Sequence, residues 1–317
     1  MQQHNKIFVG IDIAKKKFDV AFSHLSQGTT FEYSPSGIKL FLKELQKAKP
    51  QLICMEATGG LERELVACLH KHQFELAVVN PRQIRDFARA KNQLAKTDQI
   101  DARIIAQFAQ VMEPRITLPL SQAQQKMRDL TSRRRQLSKQ IVQEKNHLAS
   151  AADREICKMI QQSIRFHEKQ LKTIEQKQKE LIKADEQSQK KANIIQSVPG
   201  FGPATAAMLV AELPELGSLN RQQIARLVGV APTNRDSGTL RGKRTIGGGR
   251  VDIRNGLYMP IIVAKKYNPK IKVFYDRLVA SGKPKMVALI AAMRKLLTIV
   301  NVMIKEGKKW NENTINT

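Results

Sequence analysis

From Leu120 to Val198 the sequence contains neither glycine nor proline. Both residues interrupt helices, glycine through backbone entropy and proline through its missing N–H. Their absence over such a length excludes a series of tight turns and leaves continuous helix. Acidic residues are also scarce: 28 Asp+Glu stand against 54 Lys+Arg, a formal charge of +26. An excess of that size repels itself in a compact fold and favours a polyanionic partner, nucleic acid first among them. Cysteine occurs only at Cys54, Cys68 and Cys157, widely spaced and outside any metal-binding motif. This odd, scattered set excludes a disulfide framework and a cysteine zinc site, and fits reduced thiols in the cytoplasm. The segment Met1-Gln2-Gln3-His4-Asn5-Lys6 has no apolar signal core, and the late apolar run Met286 to Met293 is too short to span a bilayer. A cytoplasmic protein with no membrane partner is expected.

Residues 6 to about 115 alternate between strand and helix signals. Ile7 to Asp12 reads as a buried strand, Lys17 to Phe22 as its hairpin partner and Thr30 to Tyr33 as a third strand. A helical pattern follows from Ser36. Then come a strand (Gln51 to Glu56), a helix (Leu61 to His72), a strand (Phe74 to Val79) and a turn at Asn80-Pro81. Thr97 is placed to cap a helix from Asp98 through Val111. Three early strands followed by α/β alternation predict a ribonuclease-H-like fold. In the stretch without glycine or proline, apolar residues recur at heptad-like spacing: Met127, Leu130, Leu137, Ile141 and Leu148, then Ile160, Ile164, Leu171, Ile174 and Leu181. The pattern blurs between Ala149 and Glu155, which predicts two long helices folded back on each other. Such a pair could be a spacer, a dimerisation element or a nucleic-acid arm. Ser197-Val198-Pro199-Gly200-Phe201-Gly202-Pro203 predicts a sharp turn between helices. It is either a plain αα-hairpin or a helix-hairpin-helix, whose backbone N–H groups around Gly200 and Gly202 would meet a phosphate. Met286 to Ile304 reads as a closing amphipathic core helix.

Four carboxylates carry the chemistry. Asp12 interrupts one apolar strand and Glu56 ends another, while Asp98 and Asp101 stand i,i+3 on one helix and share a face. A carboxylate at the end of a buried strand is costly unless a positive group compensates it. Mg²⁺ takes oxygen ligands and keeps waters, so a few carboxylates suffice. Two such ions about 4 Å apart can activate a nucleophile and relieve charge on a leaving oxygen. Against this, Glu56 could pair with Arg63 or Arg103, and a surface pair of acids is common. A second constellation runs from Ala231 to Arg244, followed by Gly247-Gly248-Gly249-Arg250 and Arg254-Asn255-Gly256-Leu257-Tyr258. Arg235, Arg241, Lys243, Arg244, Arg250 and Arg254 supply cations for phosphate. Ser237, beside Gly238, is by composition a turn residue. Tyr258 is a rival nucleophile, but its apolar neighbours predict that it is packed.

Gly10-Ile11-Asp12-Ile13-Ala14-Lys15, Met55-Glu56-Ala57-Thr58-Gly59, Lys96-Thr97-Asp98-Gln99-Ile100-Asp101-Ala102 and the Ser237-Gly238 loop occur in an order and spacing that resemble the DEDD-type insertion-sequence transposases. This is the insertion-sequence 110 family of bridge-RNA-guided recombinases, with Piv-type invertases as relatives. The resemblance covers essentially the whole chain, including 197–202 and 275–297. Gly247-Gly248-Gly249-Arg250 looks like one subgroup, not the members with Ser-Lys-x-Gly there. The resemblance implies a RuvC-like domain over 1–118 with Asp12, Glu56, Asp98 and Asp101 as Mg²⁺ ligands and Mn²⁺ as a substitute. It implies a helical coiled-coil segment over 119–190 for dimerisation, and a mainly helical C-terminal domain over 191–317. Ser237 would be the nucleophile, forming a phosphoserine link to DNA in a site shared between protomers. Two dimers would form a tetramer on donor and target DNA, with a structured bridge RNA pairing to both. Two other functions fit the residues less fully: a metal-only nuclease of the junction-resolvase type, and a non-catalytic nucleic-acid-binding scaffold.

Overall fold

The computed structural model describes residues 6–93, 98–234, 236–237, 240–242 and 244–311, and of residues 98, 99, 240 and 241 only the backbone. The chain divides into two compact units, Met1–Pro119 and Leu120–Thr317.

The first unit runs β1 (Phe8–Ile13), β2 (Lys17–Phe22), β3 (Thr29–Glu32), α1 (Pro35–Ala48), β4 (Leu52–Glu56), α2 (Glu62–Lys71), β5 (Leu76–Val79), α3 (Pro81–Ala90) and α4 (Asp98–Met112). The strands form one sheet in the order β3-β2-β1-β4-β5. β1, β2 and β3 pair antiparallel through short links, whereas β1, β4 and β5 are parallel and need helical crossovers. Both faces are apolar, as a sheet covered on two sides requires. Val9, Ile11, Phe18, Val20, Ile53 and Met55 pack with Phe41 and Leu45 of α1 and Leu65 and Leu69 of α2. Phe8, Cys54, Ala77 and Val79 pack instead with Ile84 of α3 and Ile105 and Phe108 of α4. The Asn80-Pro81 turn of the sequence reading is corrected here to a helix start. Asn80 caps α3 by accepting from Arg82 N at 2.9 Å, and Pro81 takes the first helical position, where its missing N–H costs nothing.

The second unit opens with α5 (Gln122–Ser150) and α6 (Arg154–Ala184), then α7 (Glu186–Gln196), α8 (Pro203–Glu212) and α9 (Arg221–Val228). Four two-residue strands follow, β6 (Pro232–Thr233), β7 (Asp236–Ser237), β8 (Leu240–Arg241) and β9 (Thr245–Ile246). The unit closes with α10 (Val251–Gly256), α11 (Tyr258–Tyr267), α12 (Pro269–Ala280) and α13 (Lys285–Glu306). α5 and α6 lie side by side as an antiparallel pair, turning at residues 151–153, inside the stretch where the heptad pattern blurs. Arg134 reaches Glu175 at 2.8 Å, and Lys145 reaches Glu168 at 3.2 Å. Between the two helices, Gln178 donates to the buried Thr131 hydroxyl at 2.9 Å. α13 is 22 residues long and, among the described residues, apolar enough to cross a membrane by length and composition. Arg294 interrupts the apolar run Met286 to Met293 but not the helix, which covers the Met286 to Ile304 expected as a core helix. Its Ala288, Leu289, Ala292, Met293, Leu296, Leu297 and Val300 are buried in the core of the second unit.

Candidate nucleic-acid cleavage site

Asp12 and Glu56 leave two neighbouring parallel strands at the same level. β1 and β4 pair from Phe8↔Leu52 to Ile11↔Met55, and the two acids are the next residues on each strand. They also share a face. Phe8 and Cys54, an even number of positions back, belong to the core layer under α4, and side chains two apart on a strand point the same way. Gly10 lies on that face as well. A Cβ there would sit 2.1 Å from the Ala102 carbonyl oxygen and 2.2 Å from Ala106 N, so glycine is what lets α4 approach. Ile105 and Phe108 share a core layer with Phe8, and Ala102 and Ala106 lie on Gly10. α4 therefore runs antiparallel to β1 and brings its first turn, with Asp98 and Asp101, toward Asp12. Asp12, Glu56 and Asp101 are half-buried. The Asp98 side chain lies outside the described residues.

The Cys54 thiol, two residues below Glu56, is pushed up to about 12, first by burial and then by the Glu56 charge. Carboxylate oxygens of this kind fit Mg²⁺. Among the described residues, no three His, Cys, Asp or Glu side chains are grouped closely enough to hold a metal ion by themselves.

Ser237 lies on a small two-tier ribbon of the second unit. β6 pairs with β9 as the outer tier and β7 with β8 as the inner one. Ser237 pairs opposite Leu240, ends β7 and is exposed. Arg244 is exposed near the base, the backbone of Arg241 pairs with Asp236, and Arg235 and Lys243 lie outside the described residues. Gly202 forms the exposed N-terminal cap of α8, with open space where a Cβ would be. Gly200 (φ +101°) packs on α11, where a Cβ would lie 2.7 Å from Ala264 N.

Two family models match, one described as "Transposase" for the DEDD type of IS110 over residues 9–157, the other as "Transposase IS116/IS110/IS902 family" over residues 192–276. The chain belongs to the IS110 transposase family. It is similar to the pilin gene-inverting proteins of Moraxella lacunata and Moraxella bovis, at 27% identity over 97% of this chain and 98% of theirs. It is also similar to an insertion element IS110 protein of Streptomyces coelicolor, at 28% identity over 36% of this chain and 29% of that protein.

Several side chains that brace the transposase's two constellations were missed from sequence. Asp19 stands opposite Asp12 in the β1–β2 register and is 3% exposed. It accepts from the Thr30 hydroxyl and lies 3.5 Å from the Lys17 ammonium. Glu62 closes the turn that follows Glu56, accepting from Thr58 N (3.1 Å), Thr58 Oγ1 (3.0 Å) and Gly60 N (2.9 Å). In the second unit Arg250 forks onto Glu215 (2.6 and 2.7 Å) and donates to the Glu212 carbonyl (2.8 Å). Arg254 Nη1 donates to the carbonyls of Gly229 (3.1 Å) and Gly248 (2.9 Å). The Arg250 side chain thus ties the Gly-Gly-Gly-Arg segment to the end of α8 and the turn after it, while Arg254 holds it on the end of α9. Gly249 (φ +64°) presses there so tightly that a Cβ would meet Gly229 N at 2.4 Å. Glu212 in turn pairs with Arg135 of α5, which also pairs with Asp252. Tyr258, expected to be packed, is 38% exposed at the start of α11, because Leu257 just before the helix and Ile261 within it take the core positions instead.

Proposed function

We propose that this transposase cuts donor and target DNA through a covalent phosphoserine and rejoins the strands, with Asp12, Glu56, Asp98 and Asp101 as divalent-metal ligands and Ser237 as nucleophile. The observation that carries the reading is the shared level and face of Asp12 and Glu56 beneath the Gly10–Ala102 crossing. The sheet order and the mix of strand directions support a RuvC-like, ribonuclease-H-like identity for the first unit. In the cleavage step Ser237 Oγ bonds to phosphorus, the bond from phosphorus to the 3′ oxygen breaks, and the serine proton ends on the released 3′ hydroxyl. A 3′ hydroxyl of the partner strand then attacks the phosphoserine and frees the serine. The acids would hold Mg²⁺, or Mn²⁺ in its place, which supplies charge relief at the phosphate. An exposed position at the end of β7 lets Ser237 reach a duplex backbone, and Arg235, Arg241, Lys243 and Arg244 would hold the phosphates beside it. Arg250 and Arg254 would serve by keeping the ribbon's base in place, and the exposed cap at Gly202 offers backbone N–H groups to a phosphate, with Gly200 shaping that turn.

The charge is concentrated where this reading needs it. Residues 120–317 hold 37 Lys+Arg against 16 Asp+Glu, a net +21 of the total +26. Each neutralised phosphate releases counterions, so binding of this kind weakens with salt. The excess suits a protein that holds a structured bridge RNA and two DNA duplexes together. The α5–α6 pair would act as the coiled coil that joins protomers into dimers, and two dimers would meet as a tetramer on donor and target DNA. The likeness to proteins named for inverting a pilin gene supports strand exchange over simple cleavage.

The deciding experiment uses the full chain co-expressed with RNA from its own flanking sequence. It is mixed with DNA from the same element and Mg²⁺, and run on a denaturing gel. Wild type should leave a DNA end attached to the polypeptide. Ser237→Ala should lose that adduct and keep RNA binding. An undiminished adduct in Ser237→Ala removes the serine mechanism. Cleavage without any adduct in the wild type favours the metal-only nuclease.

A further inference from the structure

The face that carries Asp12 and Glu56 also carries a lysine. Lys17 and Asp19 are two apart on β2 and point the same way. Asp19 is directly opposite Asp12, and directly opposite residues of an antiparallel pair share a face. Ala21, next on that face, joins Ala102 and Ala106 of α4 in one small cluster. Asp19, Asp12 and the Glu56 position therefore form one row across β2, β1 and β4. Lys17 stands two residues further out, at the end of the sheet where β1 turns into β2, since Ala14 N donates to Lys17 O and closes that turn. Its side chain is 47% exposed, yet the ammonium folds back to 3.5 Å from Asp19 Oδ2. Asp19 is nearly inaccessible and has the Thr30 hydroxyl on its other oxygen, which fixes the carboxylate in one orientation.

We propose that Lys17 contacts a non-bridging oxygen of the DNA phosphate at this site, and that Asp19 is the positioning residue that holds its ammonium over the acids. The proposal rests on the metal-site reading of Asp12 and Glu56. Before DNA arrives, Lys17 offsets part of the acids' negative charge. When a phosphate approaches this end of the sheet, the ammonium is already at the rim on the correct face.

The test uses the full chain with Mn²⁺ as the probe, measured by calorimetry, alongside recombination of a plasmid carrying the gene and its flanking DNA. Lys17→Gln removes the charge and keeps the length. It should lower recombination by about tenfold or more, as losing a charge-stabilising donor does, while Mn²⁺ binds several-fold tighter. Lys17→Arg should restore most of the recombination. Asp19→Asn should lower recombination without weakening Mn²⁺ binding; if it fails to fold, the Lys17 pair decides alone. A parallel fall of Mn²⁺ affinity and recombination in Lys17→Gln would mean that the pair only braces the hairpin, and overturns the proposal. Wild-type behaviour of Lys17→Gln in both measurements overturns it too. Asp12→Asn separates the two levels. Loss of Mn²⁺ binding there upholds the metal site whatever Lys17 does, and unchanged binding rejects the metal site itself.

Discussion

Ala102 sets its backbone carbonyl so close to Gly10 that one methyl group at residue 10 would lie 2.1 Å from the oxygen. The contact is backbone to backbone, so no side chain can swing aside to relieve it. Gly10→Ala should push α4 off β1 and destabilise the protein by about 1–3 kcal/mol or more. Recombination should fall further than stability does, because α4 carries Asp98 and Asp101. Urea melts and the adduct gel would measure the two. An unchanged melt would mean that α4 does not rest on β1 in solution.

Glu62 offers a prediction with a definite pH dependence. Burial works to raise its pKa, but the hydrogen bonds from Gly60 and Thr58 together hold the carboxyl below its usual range. A lowered folded pKa contributes stability above the unfolded value, near 4.5, that is lost as pH falls through the folded value. Glu62→Gln should cost about 1 kcal/mol at neutral pH. The gap from wild type should close on acidification. A gap that is the same at pH 7 and in acid would refute the ionised role.

Glu212 behaves in the opposite sense. Burial raises its pKa, with Arg135 the main opposing influence. Arg135→Ala leaves a half-buried carboxylate without its partner, at a cost of about 1–3 kcal/mol after allowing for partial exposure. A raised folded pKa lowers stability as pH rises through it, so the penalty should be largest at pH 8 and shrink toward pH 4. Thermal melts across that range would show the trend, and a penalty growing in acid would contradict it.

Cys54 should resist modification. With its thiol pushed up to about 12 by burial and by Glu56, it carries almost no thiolate at pH 8. Alkylation of the folded protein followed by mass mapping should leave Cys54 unmodified, and urea should expose it. Rapid labelling of Cys54 in the native protein would show that the sheet opens at this end.

The sheet strands were readable because a sheet covered on both faces needs short, nearly unbroken apolar runs, and β1, β2, β4 and β5 fall where those runs put them. The helical hairpin was readable because seventy-nine residues without a breaker leave little else to build. What stayed hidden depends on register or close approach. Lys17 follows Lys15 and Lys16 and looks like one more solvated charge, and only the pairing of Asp12 with Asp19 shows which face it occupies. Gly10 looks like part of a motif, while its reason is a helix that sequence distance places 92 residues away. Asn80-Pro81 has the same letters as a turn and as a helix start. The ribbon around Ser237 was invisible because two-residue strands have no period to detect. The arginines after it looked like phosphate ligands because most of their partners, Glu212, Glu215 and Gly229, lie far along the chain.

The α5–α6 pair extends about 45 Å at 1.5 Å per residue, and Arg135 fastens it by Glu212 and Asp252 to the body of the second unit. Glu212 also receives Arg250, whose own backbone N–H donates to Leu227 beside the ribbon's base. These three links in series couple a long lever to the loop that bears Ser237. A force applied at the far end of that lever would therefore be felt at the ribbon that carries Ser237.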